Sequence, residues 1–111
     1  KSTKKARKRL KKARKYIKND DFIDFFEETE RSLWGYFSEK FNVPLSKLSK
    51  ETINNHFSKN NVNEKIRDQF IQILESCEFA RFSSSQNTNK KMEETLEEAK
   101  NIIIQVESTS K

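Results

Sequence analysis

Apolar residues recur along this chain every three or four positions, in five stretches divided by short polar breaks. That spacing puts each set on one face of an α-helix. In the first stretch, up to Lys18, Ala6, Leu10, Ala13 and Ile17 form a thin stripe on an otherwise cationic cylinder. Asn19-Asp20-Asp21 breaks it and offers capping residues for the next helix. The second stretch, residues 21–42, carries Phe22, Phe26, Leu33, Phe37 and Phe41 on one stripe, widened by Phe25, Trp34 and Tyr36. A stripe this wide belongs in the middle of a bundle. Gly35 inside it costs about 1 kcal/mol relative to alanine, which predicts a close approach by another backbone.

Val43-Pro44 ends that helix, because proline lacks an amide donor and restricts the residue before it. Leu45 and Leu48 are expected to tuck onto the core. A short helix is predicted over 50–58, capped by Ser49, with Ile53 and Phe57 inward. Asn61 with Glu64 resembles a capping-box start for a fourth helix over 62–82. Its inward face is Ile66, Phe70, Ile73, Leu74, Cys77 and Ala80. Residues 83–87 are expected to form a polar loop. The last helix, 89–107, shows Met92, Leu96, Ala99, Ile103 and Val106 on one face. Ile102-Ile103-Ile104 alone would suit a strand, but the flanking pattern favours helix. The expected fold is an all-α bundle of four long helices and one short one. It divides into a basic helix or arm, 1–18, and a bundle domain, 19–111.

Composition supports long helices with few turns. The 111 residues include one glycine and one proline, far below average use. A hydrophobic content of 32% with 36% charge leans towards disorder, but nine phenylalanines argue for a packed core. A single cysteine excludes an internal disulfide and fits a reducing compartment. No apolar run is long enough to span a bilayer, and the basic start lacks the apolar stretch of a signal peptide. The initial lysine is what an excised fragment would show.

Charge changes the picture more. The chain carries 23 basic and 17 acidic residues, a net of +6. The first 18 residues hold eleven of the cations and no acid, leaving 12 basic against 17 acidic residues in the remainder. The like-charge pairs Lys4/Lys8, Arg7/Lys11 and Arg14/Lys18 oppose helix formation by about 0.2–0.5 kcal/mol each, so the first helix needs an anionic neighbour. Lys4, Lys5, Arg7, Lys8, Arg9, Lys11, Lys12, Arg14 and Lys15 are the candidate contacts. Three neighbours fit: an anionic lipid surface, nucleic-acid phosphates, or the chain's own acidic helices.

Catalytic chemistry has little to work with. His56 has no cysteine or second histidine nearby, so a zinc site is disfavoured against a solvated surface histidine. Cys77 falls on an apolar face, as a buried inert thiol would, although Arg81 stands close by in sequence. Asp20/Asp21, Glu27/Glu28/Glu30 and Glu93/Glu94/Glu97/Glu98 read as solvated helix faces, with a second role as partners of the basic arm. No glycine-rich loop is present to cradle a phosphate. An enzyme is therefore disfavoured, and no catalytic, cofactor-binding or metal-ligating residue is assigned. Trp34, Tyr36, Phe79 and Phe82 read first as core and second as a partner surface. Arg81 between Phe79 and Phe82 could make a cation–π contact. Aromatics and cations are largely segregated, which weakens a nucleic-acid reading.

Lys4-Lys5-Ala6-Arg7 through Tyr16, Leu33-Trp34-Gly35-Tyr36-Phe37-Ser38 leading to Asn42-Val43-Pro44, and Cys77-Glu78-Phe79-Ala80-Arg81-Phe82 together resemble one known family. It is the carboxy-terminal region of BatD-type (Bacteroides aerotolerance, or oxygen-tolerance) proteins. The resemblance covers about residues 4–106. It implies a larger single-pass membrane protein, with exported β-rich domains and this helical region at the cytoplasmic face of the inner membrane. Members are encoded with MoxR-type ATPases and von Willebrand factor A domain proteins, which implies a chaperone-like or stress-related assembly with those partners. No catalytic residue is implied. Where the family continues past Phe82 with small residues and proline, this chain has Ser83-Ser84-Ser85. The leading expectation is thus a non-enzymatic protein-interaction domain whose basic arm lies near anionic headgroups. The alternative is a small basic-armed helical nucleic-acid-binding domain.

Overall fold

All four residues of the thin apolar stripe in the basic segment, Ala6, Leu10, Ala13 and Ile17, are buried. In this computed structural model, which describes residues 2–82 and 89–109, they lie on α1 (Ser2–Lys18). Then follow α2 (Phe22–Phe41), a 3-10 turn (Leu45–Lys47), α3 (Lys50–Lys59), α4 (Glu64–Ala80) and α5 (Asn89–Thr109). Every regular element among the described residues is helical, an all-α bundle. The 83–87 loop expected from the sequence lies outside the described residues.

Cross-helix contacts fix the topology. Lys5 Nζ lies 3.0 Å from Glu39 Oε2, and Arg9 reaches back to the Arg31 carbonyl, so α1 and α2 run antiparallel. Arg14 meets Glu93 and Glu97 on α5, while Thr3 bonds Glu107, so α1 is also antiparallel to α5. The first and last helices are therefore neighbours. The Cα radius of gyration is 13.5 Å, against about 13 Å for a folded chain of this length. The basic helix accordingly lies against the bundle rather than projecting from it.

Phenylalanines fill the junction of α2, α3 and α4. Phe37, Phe57 and Phe70 stack with ring centroids 5.3–6.5 Å apart, and Phe41 lies 5.4 Å from Phe57. His56 packs edge-on to Phe37 at 6.0 Å, so it is half-buried beside rings instead of a solvated surface group. The α4 face is Ile66, Phe70, Ile73, Leu74, Cys77 and Ala80, all buried. On α5, Thr95 and Ile102 join the expected stripe. On α2, Thr29 and Ser32 are buried too, where small polar side chains let neighbouring helices close in.

One device ends three helices. Asp20, Asn42 and Asn61 adopt positive φ of 58°, 57° and 65°. The next residue's N–H then reaches five residues back: Asp21 to Tyr16, Val43 to Ser38 and Val62 to Phe57. This is the Schellman arrangement, usually built on glycine. Asp and Asn tolerate the left-handed region better than other side chains, and this glycine-poor chain uses them.

Three local expectations change. Asn61 terminates α3, and the N-cap of α4 is Asn63, whose Oδ1 accepts from Ile66 N–H at 2.9 Å. Asp21 stands at the α2 N-cap position but makes no side-chain cap bond. Leu45 is 73% exposed, because the 3-10 turn after Pro44 carries it outward, and only Leu48 packs on the core.

Candidate functional site

The nine candidate cations of α1 fall into two groups. Three are held by the bundle. Lys5 pairs with Glu39; Arg14 pairs with Glu93 at 3.3 Å and Glu97 at 3.9 Å; Arg9 Nη1 donates to the Arg31 carbonyl at 3.4 Å. The other six, Lys4, Arg7, Lys8, Lys11, Lys12 and Lys15, are exposed and have no ion pair among the described residues. Helical geometry explains the division. With the core stripe buried, Lys5 and Arg9 sit on the flank facing α2 and Arg14 on the flank facing α5, while Lys4, Lys8, Lys11 and Lys15 lie on the outer face. Lysine spacing at 4, 8, 11 and 15 makes one continuous outward stripe.

Between α1 and α2 lies a groove of about 650 Å³, floored by Ala6, Gly35 and Tyr36 and walled by Lys8, Arg9 and Lys12. Glu39 is the acidic residue among those lining it. Gly35 explains its shape. The close approach expected from a neighbouring backbone is made instead by a side chain: a Cβ at position 35 would stand 3.2 Å from Arg9 Nη1.

The aromatic candidates separate as well. Tyr36 is buried, and Trp34 packs against the core. Phe79 and Phe82 are not core, being 66% and 82% exposed. Successive α4 residues turn by about 100°, so a core stripe ending at Cys77 and Ala80 points Phe79 outward. Arg81 between them turns to carboxylates, with Nη2 3.2 Å from Glu30 Oε1 and Nη1 3.9 Å from Glu27 Oε2. That pins the end of α4 to α2. Burial raises the Glu30 pKa above the ordinary glutamate value; Arg81 pulls it down, and Glu78 pushes it up. The Trp34 side chain bonds the same carboxylate. Cys77 is buried, and burial with the nearby Glu30 charge pushes its thiol up to about 12.

Among the described residues, no group of three His, Cys, Asp or Glu side chains could hold a metal ion. No helix among them is long and apolar enough to cross a membrane. Three acids with cross-helix partners escaped the sequence reading: Glu39, which holds Lys5, Glu75, which holds Lys50, and Glu107, which Tyr36 and Lys40 contact. Their only sequence signal is an acid on a flank of an apolar stripe, which does not name a partner. Comparison with protein-family models, with curated proteins and with solved structures finds no match.

Proposed function

We propose that this chain is a non-enzymatic interaction module that lies against an anionic lipid surface through α1 and receives a protein partner at the end of α4. The observation that carries the reading is the outward lysine stripe. Among the described residues, the bundle supplies carboxylates to the flanks of α1 and none to its outer face. Those lysines repel one another along the helix, and an anionic bilayer offsets that repulsion by about 1 kcal/mol per cation. The stripe holds no exposed aromatic to stack on bases, since Tyr16 is half-buried. That favours lipid over nucleic acid.

The likeness to the BatD-type region supports a place at the cytoplasmic face of the inner membrane, beside a spanning helix outside this chain. It also supports a MoxR-type ATPase or von Willebrand factor A domain protein as the partner. Phe79 and Phe82 suit such a contact, being large, apolar, exposed and anchored through Arg81.

Vesicle sedimentation tests the lipid half. Phosphatidylcholine vesicles should leave the chain in solution, and phosphatidylglycerol-containing vesicles should sediment it at low salt. Exchanging Lys4, Lys8, Lys11 and Lys15 for glutamine should abolish that binding. Equal sedimentation with both vesicles, or with neither, sinks the reading. For the partner half, a pull-down from native membranes should recover the ATPase or the von Willebrand factor A protein, and F79S/F82S should lose it. Recovery of neither counts against it. Salt-sensitive oligonucleotide binding with a base preference would favour the nucleic-acid alternative instead.

A further inference from the structure

We propose that the groove between α1 and α2 is a seat for a phosphate group bearing two negative charges, a phosphomonoester or pyrophosphate, with Arg9 as its central ligand. The proposal rests on the membrane-face reading and names the group that face selects.

Gly35 is the chain's one glycine, and it lies inside a 20-residue helix. Its φ is not positive, so the backbone itself does not require glycine. Arg9 favours it: a Cβ there would stand 3.2 Å from its Nη1, so the guanidinium would have to shift by a few tenths of an ångström. The guanidinium therefore rests on bare α2 backbone, and Nη1 donates to the Arg31 carbonyl. That bond uses one of five N–H donors and brings no negative charge. Arg14 on the opposite flank is neutralised by Glu93 and Glu97. Arg9 is oriented without being neutralised.

The surroundings suit an anion. Lys8 and Lys12 wall the same groove without an ion pair among the described residues. Its carboxylate, Glu39, is already held by Lys5 at 3.0 Å. The short side chains of Ala6 and the bare Gly35 keep the floor low, and the groove has about 650 Å³ of space. A planar guanidinium can bond two phosphate oxygens at once, and clustered ammonium groups favour the doubly charged form. Such a phosphate comes either from a lipid headgroup or from a soluble molecule.

The experiment compares phosphatidylcholine vesicles containing phosphatidic acid with vesicles containing phosphatidylglycerol, matched for surface charge, and titrates inorganic pyrophosphate separately. Phosphatidic acid should be preferred about tenfold, the gain of one added charge-assisted hydrogen bond. Arg9→Gln should remove the preference and leave binding to phosphatidylglycerol, and Gly35→Ala, which displaces the guanidinium slightly, should weaken the preference. Thermal unfolding of Arg9→Gln should stay within about 4 °C of the unsubstituted chain, which separates loss of the seat from loss of the fold. Arg9-dependent pyrophosphate binding without a vesicle preference assigns the soluble source; a vesicle preference assigns the headgroup. No preference together with no pyrophosphate binding overturns the seat, as does a preference that survives Arg9→Gln. Loss of all anionic-vesicle binding in the unsubstituted chain overturns the membrane-face reading instead.

Discussion

The Tyr36 hydroxyl donates a hydrogen bond to the Glu107 carboxylate, tying the middle of α2 to the end of α5. Lys40 Nζ lies 3.0 Å from the same carboxylate. Burial alone would raise the Glu107 pKa, but bonds from Tyr36, Lys40 and Thr3 outweigh it and hold the group below the ordinary value. Burial, and then that carboxylate, push the Tyr36 phenol upward. A carboxylate lowered in the fold stabilises at every pH above its unfolded value, and the effect is lost as pH falls through the folded value. Denaturant unfolding should therefore show stability draining away below about pH 4. Tyr36→Phe should cost about 1 kcal/mol at neutral pH and flatten that acid loss. An unchanged acid limb in the variant would remove the bond from the account.

Glu30 should behave in the opposite sense. Its pKa is raised, chiefly by burial, so the folded chain takes up this proton before the unfolded chain does. Stability from this group grows as pH falls through the folded value, and Glu30 ionised at neutral pH works against the fold. Carboxyl titration by NMR should place Glu30 above the ordinary glutamate midpoint and Glu107 below it. Arg81→Gln should move Glu30 higher still, since Arg81 is its main lowering influence. Midpoints in the reverse order would refute the assignment.

Cys77 should be chemically silent while the chain is folded. The thiolate is the reactive form, and a buried thiol raised to about 12 holds almost none of it at neutral pH. Labelling by an alkylating reagent should track unfolding and speed up with denaturant. Fast labelling of the native chain at neutral pH would contradict the burial.

Leu10 lies at the centre of the α1 stripe with no exposed surface. Leu10→Ala should cost about 2–5 kcal/mol, while Lys8→Gln, one turn of charge away, should stay within about 0.5 kcal/mol. Thermal unfolding distinguishes them. A silent Leu10→Ala would mean that α1 adds little to the core.

The left-handed helix ends invite a stabilising change. Asn61→Gly relieves a strained φ while adding unfolded-state freedom, so the net gain should be under about 1 kcal/mol. Phe57 and Val62 are buried beside it, so the geometry should persist. A loss of stability would show that the Asn61 side chain has a role of its own.

Much of this fold is written in periodicity, and the exceptions follow from what periodicity cannot carry. The face of α4 reads residue by residue, because one dominant stripe leaves no alternative orientation, while the α5 stripe is visible but too narrow, leaving out Thr95 and Ile102. The α1 stripe is equally visible, but its weight is not. Two alanines look thin in sequence, yet in the bundle their small size lets α1 approach α2 closely. Leu45 and Phe79 are as apolar as their buried neighbours, and only the position of the surrounding helices leaves them outside. Gly35 announces a close approach without naming who approaches. The division of the cations is half legible: spacing gives the outward stripe, while the carboxylates that hold Lys5 and Arg14 come from residues 34 to 83 positions away along the chain.

The adjacency of α1 and α5 also constrains how the molecule is made. A helix whose apolar stripe is covered partly by α5 cannot complete its packing until α5 has left the ribosome. During synthesis the nascent basic helix would meet the anionic ribosome before Glu93, Glu97 and Glu107 exist to hold it. Closure of the bundle therefore waits for α5 and joins the two helices farthest apart along the described chain.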